Sequence, residues 1–238
     1  MGARLISKDL ITNLFIKMNF TLPTSSFLFF FRAVCFLLAL IFIADIFLLS
    51  GSSLFADVGF GKQFKFFTLW SLIANFFVCS VLFLGMIGSR IRIYDSFVAI
   101  ATMMGIFTVI LYWGLFFIDP NMINYTDQRL NFFREYYLHF LGPILLIIEA
   151  FLFTKAFKKF LNITIWAAVI NFGYFSWIEL IVAQLNDFPQ GRITNGLPYP
   201  FMNDMILTER LILMTLCFIF GILFIWLFAK IQRIIPLI

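Results

Sequence analysis

The sequence predicts an all-α membrane protein, a polytopic bundle of six transmembrane helices with both termini in the cytoplasm, and three observations carry that prediction. The chain of 238 residues is 63% hydrophobic and only 12% charged, against roughly half apolar and a quarter charged in a soluble domain, and its mean hydropathy is +1.02. Six apolar segments each reach the length of about 20 residues that a helix rising about 1.5 Å per residue needs to cross about 30 Å of hydrocarbon. Turn-forming clusters separate them.

Residues 1–25 have neither the continuous apolar core nor the small-residue cleavage site of a signal peptide. With Arg4, Lys8 and Lys17 on polar positions, they read as an amphipathic cytoplasmic segment at the membrane surface. One membrane domain follows over 26–230, with spans at 27–49, 64–87, 96–118, 136–154, 163–183 and 206–229, and 231–238 form a cytoplasmic tail. The breaks between spans are GSS at 51–53, GSR at 88–90, DPN at 119–121 and FPQGRITNGLPYP at 188–200.

Orientation follows from Lys and Arg counted by side. One set of connections and ends holds Arg4, Lys8, Lys17, Arg90, Arg92, Lys155, Lys158, Lys159, Lys230 and Arg233; the other holds Lys62, Lys65, Arg129, Arg134, Arg192 and Arg210, diluted by most of the acids. The richer side is the cytoplasmic one. Of the sequons at Asn19, Asn124 and Asn162, only Asn124 then lies outside. The net charge of +5 is scattered singly and in pairs between apolar runs, which argues against nucleic acid as a partner. Cys35, Cys79 and Cys217 lie within apolar segments without CxxC spacing, so they call for neither a disulfide framework nor a metal, and nothing calls for a cofactor.

Charge inside a bilayer needs a partner or a function. Arg32 and Glu149 each fall about five residues from the cytoplasmic end of their spans; they match in depth and oppose in sign, as a buried ion pair would. Asp45, Thr68, His139 and Glu179 fall on four different helices, all roughly 5–6 Å below the outer surface by helix rise. On the second span Thr68, Ser71 and Asn75 lie along one face. Ser71 and Asn75 also suit a second purpose, hydrogen bonding between helices. His139 is the only histidine and the only side chain whose unperturbed pKa suits proton transfer near neutrality. An interfacial histidine satisfied by water is the alternative.

KFFT at 65–68 opening the second span, YLHFLGPILLIIEAFLF at 137–153 forming the fourth, and LPYPFMND at 197–204 before the sixth resemble the androgen-induced-gene family of integral-membrane threonine hydrolases, most of all its bacterial six-helix members. The resemblance covers most of the chain from the first span onward. It rests on the order and spacing of the fragments. It implies a Thr nucleophile and a His base, which by motif fall on Thr68 and His139, and hydrolysis of lipid esters, among them esters of fatty acids with hydroxy fatty acids. The sequence departs from the pattern at one place: where relatives often carry an asparagine within one turn of the threonine, Ser71 and Leu72 stand here and Asn75 lies two turns on.

That chemistry would require His139 within hydrogen-bond reach of Thr68. Asn75, Ser71 or a backbone N–H are candidate donors for the oxyanion, and Asp45 or Glu179 for orienting the imidazole. Pro143, four residues after His139, removes a backbone donor and frees the His139 carbonyl. Pro198, Tyr199, Pro200 and Phe201 form either a lid over the mouth of the pocket or a cap on the bundle. The expected partner is a lipid or acyl ester in the membrane, a bacterial inner membrane or a eukaryotic endoplasmic reticulum or plasma membrane; the oligomeric state is left open. Two other functions remain: a lipid-binding or signalling protein without turnover, and a transporter or channel using Asp45, Glu179 and His139, against which the polar groups gather near one surface with no trail through the midplane beyond Asn171.

Overall fold

The computed structural model describes residues 26–49, 59–91, 93–120, 132–186 and 196–234. The expected lead-in at 1–25 and the sequons at Asn19 and Asn124 lie outside the described residues. Among the described residues, six helices are long and apolar enough to cross a membrane: α1 (Ser26–Leu49), α2 (Phe67–Met86), α3 (Asp95–Ile118), α4 (Phe132–Phe153), α5 (Phe160–Leu185) and α6 (Leu207–Ile234). Helix α6 runs on through Lys230 and Arg233 to Ile234, into the stretch read as a tail. Two long cationic side chains end an apolar run without ending a helix, because their stems follow the helix while their charges reach the interface.

The helix starts differ from the apolar runs in two places that matter. Lys62–Lys65 forms a separate 3-10 turn, so α2 begins at Phe67. Helix α4 begins four residues early, at Phe132, which brings Arg134 and Glu135 into the helix.

Helix α3 is the centre of the bundle: 56% of its most apolar window is buried, against 11% in α1 and in α6. Val98, Ala99, Ala101 and Met103 pack there against Cys35 and Ala39 of α1, Val78 and Cys79 of α2, Leu146 and Ala150 of α4, Ile163 of α5 and Ile225 of α6. Small residues let the backbones approach, the usual way membrane helices gain packing when lipid is as apolar as the core. Between α3 and α4 a Cβ on Gly105 would lie 3.2 Å from the ring of Pro143. Large apolar side chains such as Phe30 and Phe117 point outward and are exposed, as they can be where the surroundings are hydrocarbon.

Four wide helical turns interrupt the spans, at Asp45–Leu49, Tyr137–Leu141, Glu149–Phe153 and Trp177–Val182. Such π-turns are rare and concentrate at functional or strained positions. Asp45, His139, Glu149 and Glu179 each fall in one of them. These are four of the six polar residues singled out by depth.

Candidate functional site

Among the described residues three ion pairs bridge the helices. The Arg32 guanidinium grips Glu149 at 2.7 and 3.1 Å, and Thr154 donates to the same carboxylate at 2.5 Å. At the other end of the bundle Arg134 Nε lies 2.6 Å from Asp45 Oδ2, and Arg210 holds Glu179 through Nε and Nη2 at 2.7 and 2.8 Å. Arg134 and Arg210 had counted as topology charges in outer connections. The structure makes them the counter-ions of Asp45 and Glu179.

Thr68 and His139 meet at the same end. Thr68 Oγ1 and His139 Nε2 are 3.5 Å apart, at the outer limit of a hydrogen bond. The other ring nitrogen, Nδ1, lies 3.2 Å from Glu135 Oε2 and 3.2 Å from the Glu135 carbonyl. Both are acceptors, so Nδ1 carries the proton and Nε2 presents a lone pair toward the Thr68 hydroxyl. The Tyr112 ring stacks on the imidazole with centroids 3.6 Å apart and planes 12° from parallel, and its hydroxyl donates to Glu135. Asp45 and Glu179 pair with Arg134 and Arg210, and the carboxylate beside the imidazole is that of Glu135. It sits one helical turn before His139, a spacing visible in the sequence.

The local backbone explains why the histidine is held so. Proline has no N–H to return to the His139 carbonyl, and the Gly142 N–H reaches back to Tyr137 O, one residue further than in an α-helix. The freed His139 carbonyl is taken by Trp113 Nε1 of α3 at 2.9 Å. Gly142 suits this close approach, since a Cβ would fall 3.1 Å from both Asn75 Nδ2 and Tyr137 O and would push them away by a few tenths of an ångström. The entry to α2 is braced in the same manner. The Phe64 carbonyl accepts from Trp70 Nε1 at 2.9 Å and Trp177 Nε1 at 3.1 Å, and the Lys65 carbonyl from the Tyr174 hydroxyl at 2.7 Å.

Thr68, Ser71, Asn75, Gly105, Tyr137 and Pro143 line a small cavity of about 10 Å³, room for about one water molecule. Thr68 is the second residue of α2, where a backbone N–H has no acceptor within the helix. Ser71 follows by about 4.5 Å of rise, Asn75 by about 10.5 Å. Asn75 faces the same cavity, and its amide has partners there: Nδ2 lies 3.5 Å from the Tyr137 hydroxyl and Oδ1 accepts from Cys79 Sγ at 3.1 Å.

The LPYPF element caps the bundle beside this site. Leu197 and Met202 pack with Ile178, Val182 and Ala183 of α5, and Lys65 Nζ donates to the Gly196 carbonyl at 3.0 Å. Leu197 N–H bonds Asn203 Oδ1 at 2.8 Å. The Tyr199 and Phe201 rings stack, and the Tyr199 hydroxyl bonds the backbone of Phe67, the neighbour of Thr68. Burial pushes the Tyr199 phenol above its ordinary pKa. Among the described residues no group of His, Cys, Asp and Glu is arranged to hold a metal.

A family profile described as "FAR-17a/AIG1-like protein" matches residues 25–233, from the start of α1 to the last turn of α6. No curated protein and no solved structure matches the chain.

Proposed function

The chain belongs to the FAR-17a/AIG1-like family of membrane proteins, and from that premise we propose that it is a lipid-ester hydrolase with Thr68 as nucleophile and His139 as base. The single observation that carries the reading is the Thr68–His139 pair, 3.5 Å apart, with the imidazole held on its far side by Glu135. In this reading His139 Nε2 takes the hydroxyl proton as Thr68 Oγ1 attacks the ester carbonyl carbon. The Thr68 backbone N–H and the Ser71 hydroxyl face the developing oxyanion. The tetrahedral intermediate expels the alkoxide, which leaves as the alcohol with the proton from Nε2, and the acyl group stays on Thr68. A water gives its proton to Nε2 and attacks the acyl carbon; Thr68 recovers the proton as the free acid departs. Glu135 fixes the tautomer and stabilises the imidazolium in each half.

The test is labelling of the detergent-solubilised protein by a fluorophosphonate probe. Wild type is expected to label, and Thr68→Ala and His139→Ala to fold and not label. Labelling that survives Thr68→Ala would overturn the assignment. A wild type that folds and never labels would favour a lipid-binding protein without turnover.

One observation favours a second reading, passage of a proton through the bundle. Cys79, bonded to Asn75, also bonds Cys35. Those two thiols line a second water-sized cavity with Arg32 and Glu149, so polar groups run from Glu149 past the midplane to Tyr137 and Thr68. The sequence had shown no such trail. Vesicles loaded with a pH-sensitive dye test it: proton leak abolished by Asn75→Leu supports it, and leak equal to that of empty vesicles removes it.

A further inference from the structure

The imidazole of a histidine turns about a terminal bond whose preferred angles are broad. A hydrogen bond at Nδ1 alone therefore leaves the plane of the ring loosely set. Helix α3 supplies the second constraint. Tyr112 lies face to face with the His139 ring, centroids 3.6 Å apart and planes 12° from parallel, whereas aromatic neighbours more often meet offset or edge on. The stack fixes the plane, and the contact of Nδ1 with Glu135 at 3.2 Å selects one of the two ring flips that share it. With both satisfied, Nε2 is aimed at Thr68 Oγ1, 3.5 Å away.

The same tyrosine holds the carboxylate. Its hydroxyl donates to Glu135, whose side chain is 21% exposed against 7% for that of His139. Glu135 is thus the member of the group that water can draw away, and the phenol ties it down. Tyr112 is itself anchored, since its ring meets that of Trp113 edge to face at 5.4 Å and 84° and Trp113 is bonded to the His139 carbonyl. Two consecutive residues of α3, about 100° apart around the helix, divide the work: one holds the main chain of His139, the other its ring and the carboxylate beside it. A tyrosine serving only the aromatic belt at a membrane surface needs none of these contacts. The face of the phenol also lies where positive charge appears when the imidazole takes a proton, the arrangement of a cation–π contact.

We propose that Tyr112 is a positioning residue: it sets the plane of the His139 imidazole and holds Glu135 against Nδ1, so that the Nε2 lone pair is presented to Thr68. Its chemical purpose rests on the hydrolase reading; its hold on the ring does not. Tyr112 acts through His139 and Glu135 and is not placed against Thr68.

His139 is the only histidine in the chain, so protein carrying isotope-labelled histidine and purified without a polyhistidine tag gives the ring nitrogen signals of this residue alone, and they read its tautomer. Wild type is expected to hold the Nδ1–H form. Tyr112→Leu is expected to show the mixed tautomers of a free imidazole and to label with fluorophosphonate roughly a hundredfold more slowly, the stack and the hydrogen bond counting about tenfold each. Tyr112→Phe keeps the stack and lacks the hydroxyl. It is expected to restore the wild-type tautomer, to exchange its Nδ1 proton with water roughly tenfold faster, and to label roughly tenfold more slowly than wild type. A side chain needed only for its bulk would lower the unfolding midpoint of Tyr112→Leu and leave the histidine signals as they were, and that result would overturn the proposal. So would an Nε2–H wild type, or unchanged proton exchange in Tyr112→Phe, which decides the matter where Tyr112→Leu does not fold. A wild type that never labels, yet holds the Nδ1–H form and loses it in Tyr112→Leu, would remove the hydrolase reading and keep the hold of Tyr112 on the ring.

Discussion

Trp113 donates its indole N–H to the carbonyl of His139 at 2.9 Å, the carbonyl that Pro143 cannot serve. A side chain from α3 thereby replaces a missing backbone bond in α4. It fixes the turn that carries the imidazole and leaves the ring itself free for Thr68.

The first prediction concerns that bond. Trp113→Phe keeps most of the aromatic volume and removes the donor, leaving an unpaired carbonyl in the bundle. The variant should lose about 1–3 kcal/mol of stability, read as a lower unfolding midpoint in detergent. Its fluorophosphonate labelling should slow as well, although Trp113 is not placed against the reacting atoms.

Glu135→Gln tests how the imidazole is held. The backbone carbonyl of residue 135 still accepts from Nδ1 at 3.2 Å, so the tautomer persists, but the carboxylate that stabilises the imidazolium is gone. The labelling rate should fall roughly tenfold, the value of about 1.5 kcal/mol of charge-assisted hydrogen bonding. Glu135→Asp, which restores the charge one methylene short, should recover part of the loss, whereas Asp45→Asn should leave the rate within about a factor of two.

Lys65 supplies a pH dependence. Burial lowers its ammonium from the ordinary 10.5 to about 8. Below about pH 8 both the folded and unfolded chains carry the proton, and the folded one bears the cost of the buried charge. Between about pH 8 and 10.5 the folded state sheds a proton that the unfolded state keeps, so stability rises with pH across that window and levels off above it. Unfolding midpoints of wild type should climb from pH 8 to pH 10 relative to those of Lys65→Met. A difference between the two proteins that does not change with pH would contradict the assignment.

The Arg210–Glu179 pair is buried on both sides. Glu179→Gln removes the carboxylate charge that the buried guanidinium grips at 2.7 and 2.8 Å and should cost about 3–5 kcal/mol. Glu179→Leu combined with Arg210→Met should recover most of that, because two apolar side chains replace two desolvated charges. A double-mutant cycle in unfolding midpoints measures the coupling.

The six spans were legible because hydropathy is set by the bilayer and needs no knowledge of neighbours. Arg32 and Glu149 were legible as a pair because equal depth and opposite sign leave few other ways to neutralise two buried charges. Thr68 and His139 could be placed at one level by helix rise, and the family resemblance named the same two residues. The partners of Asp45 and Glu179 were misread for a single reason: Arg134 and Arg210 stand at the edges of apolar runs, where a sequence shows only a charge near a boundary. Glu135 was missed with them, although its spacing of four from His139 was there to be read. The wide turns, the Trp113 bond and the stack of Tyr112 on His139 depend on which helix faces which, and a single sequence carries no sign of that.

Helix α1 holds both Arg32 and Asp45, and each finds its counter-ion on α4, 117 and 89 residues further along the chain. The pairs have opposite polarity, Arg to Glu at one end and Asp to Arg at the other. In biosynthesis the first helix therefore reaches the membrane carrying two charges whose partners have not yet been made, each costing up to about 3 kcal/mol in hydrocarbon. The nascent chain must keep α1 close to water or beside the insertion machinery until α4 emerges. Once it does, pairing α1 with α4 in the register that joins Arg32 to Glu149 and Asp45 to Arg134 discharges both costs at once, so the arrival of the fourth span is also a proofreading of the first.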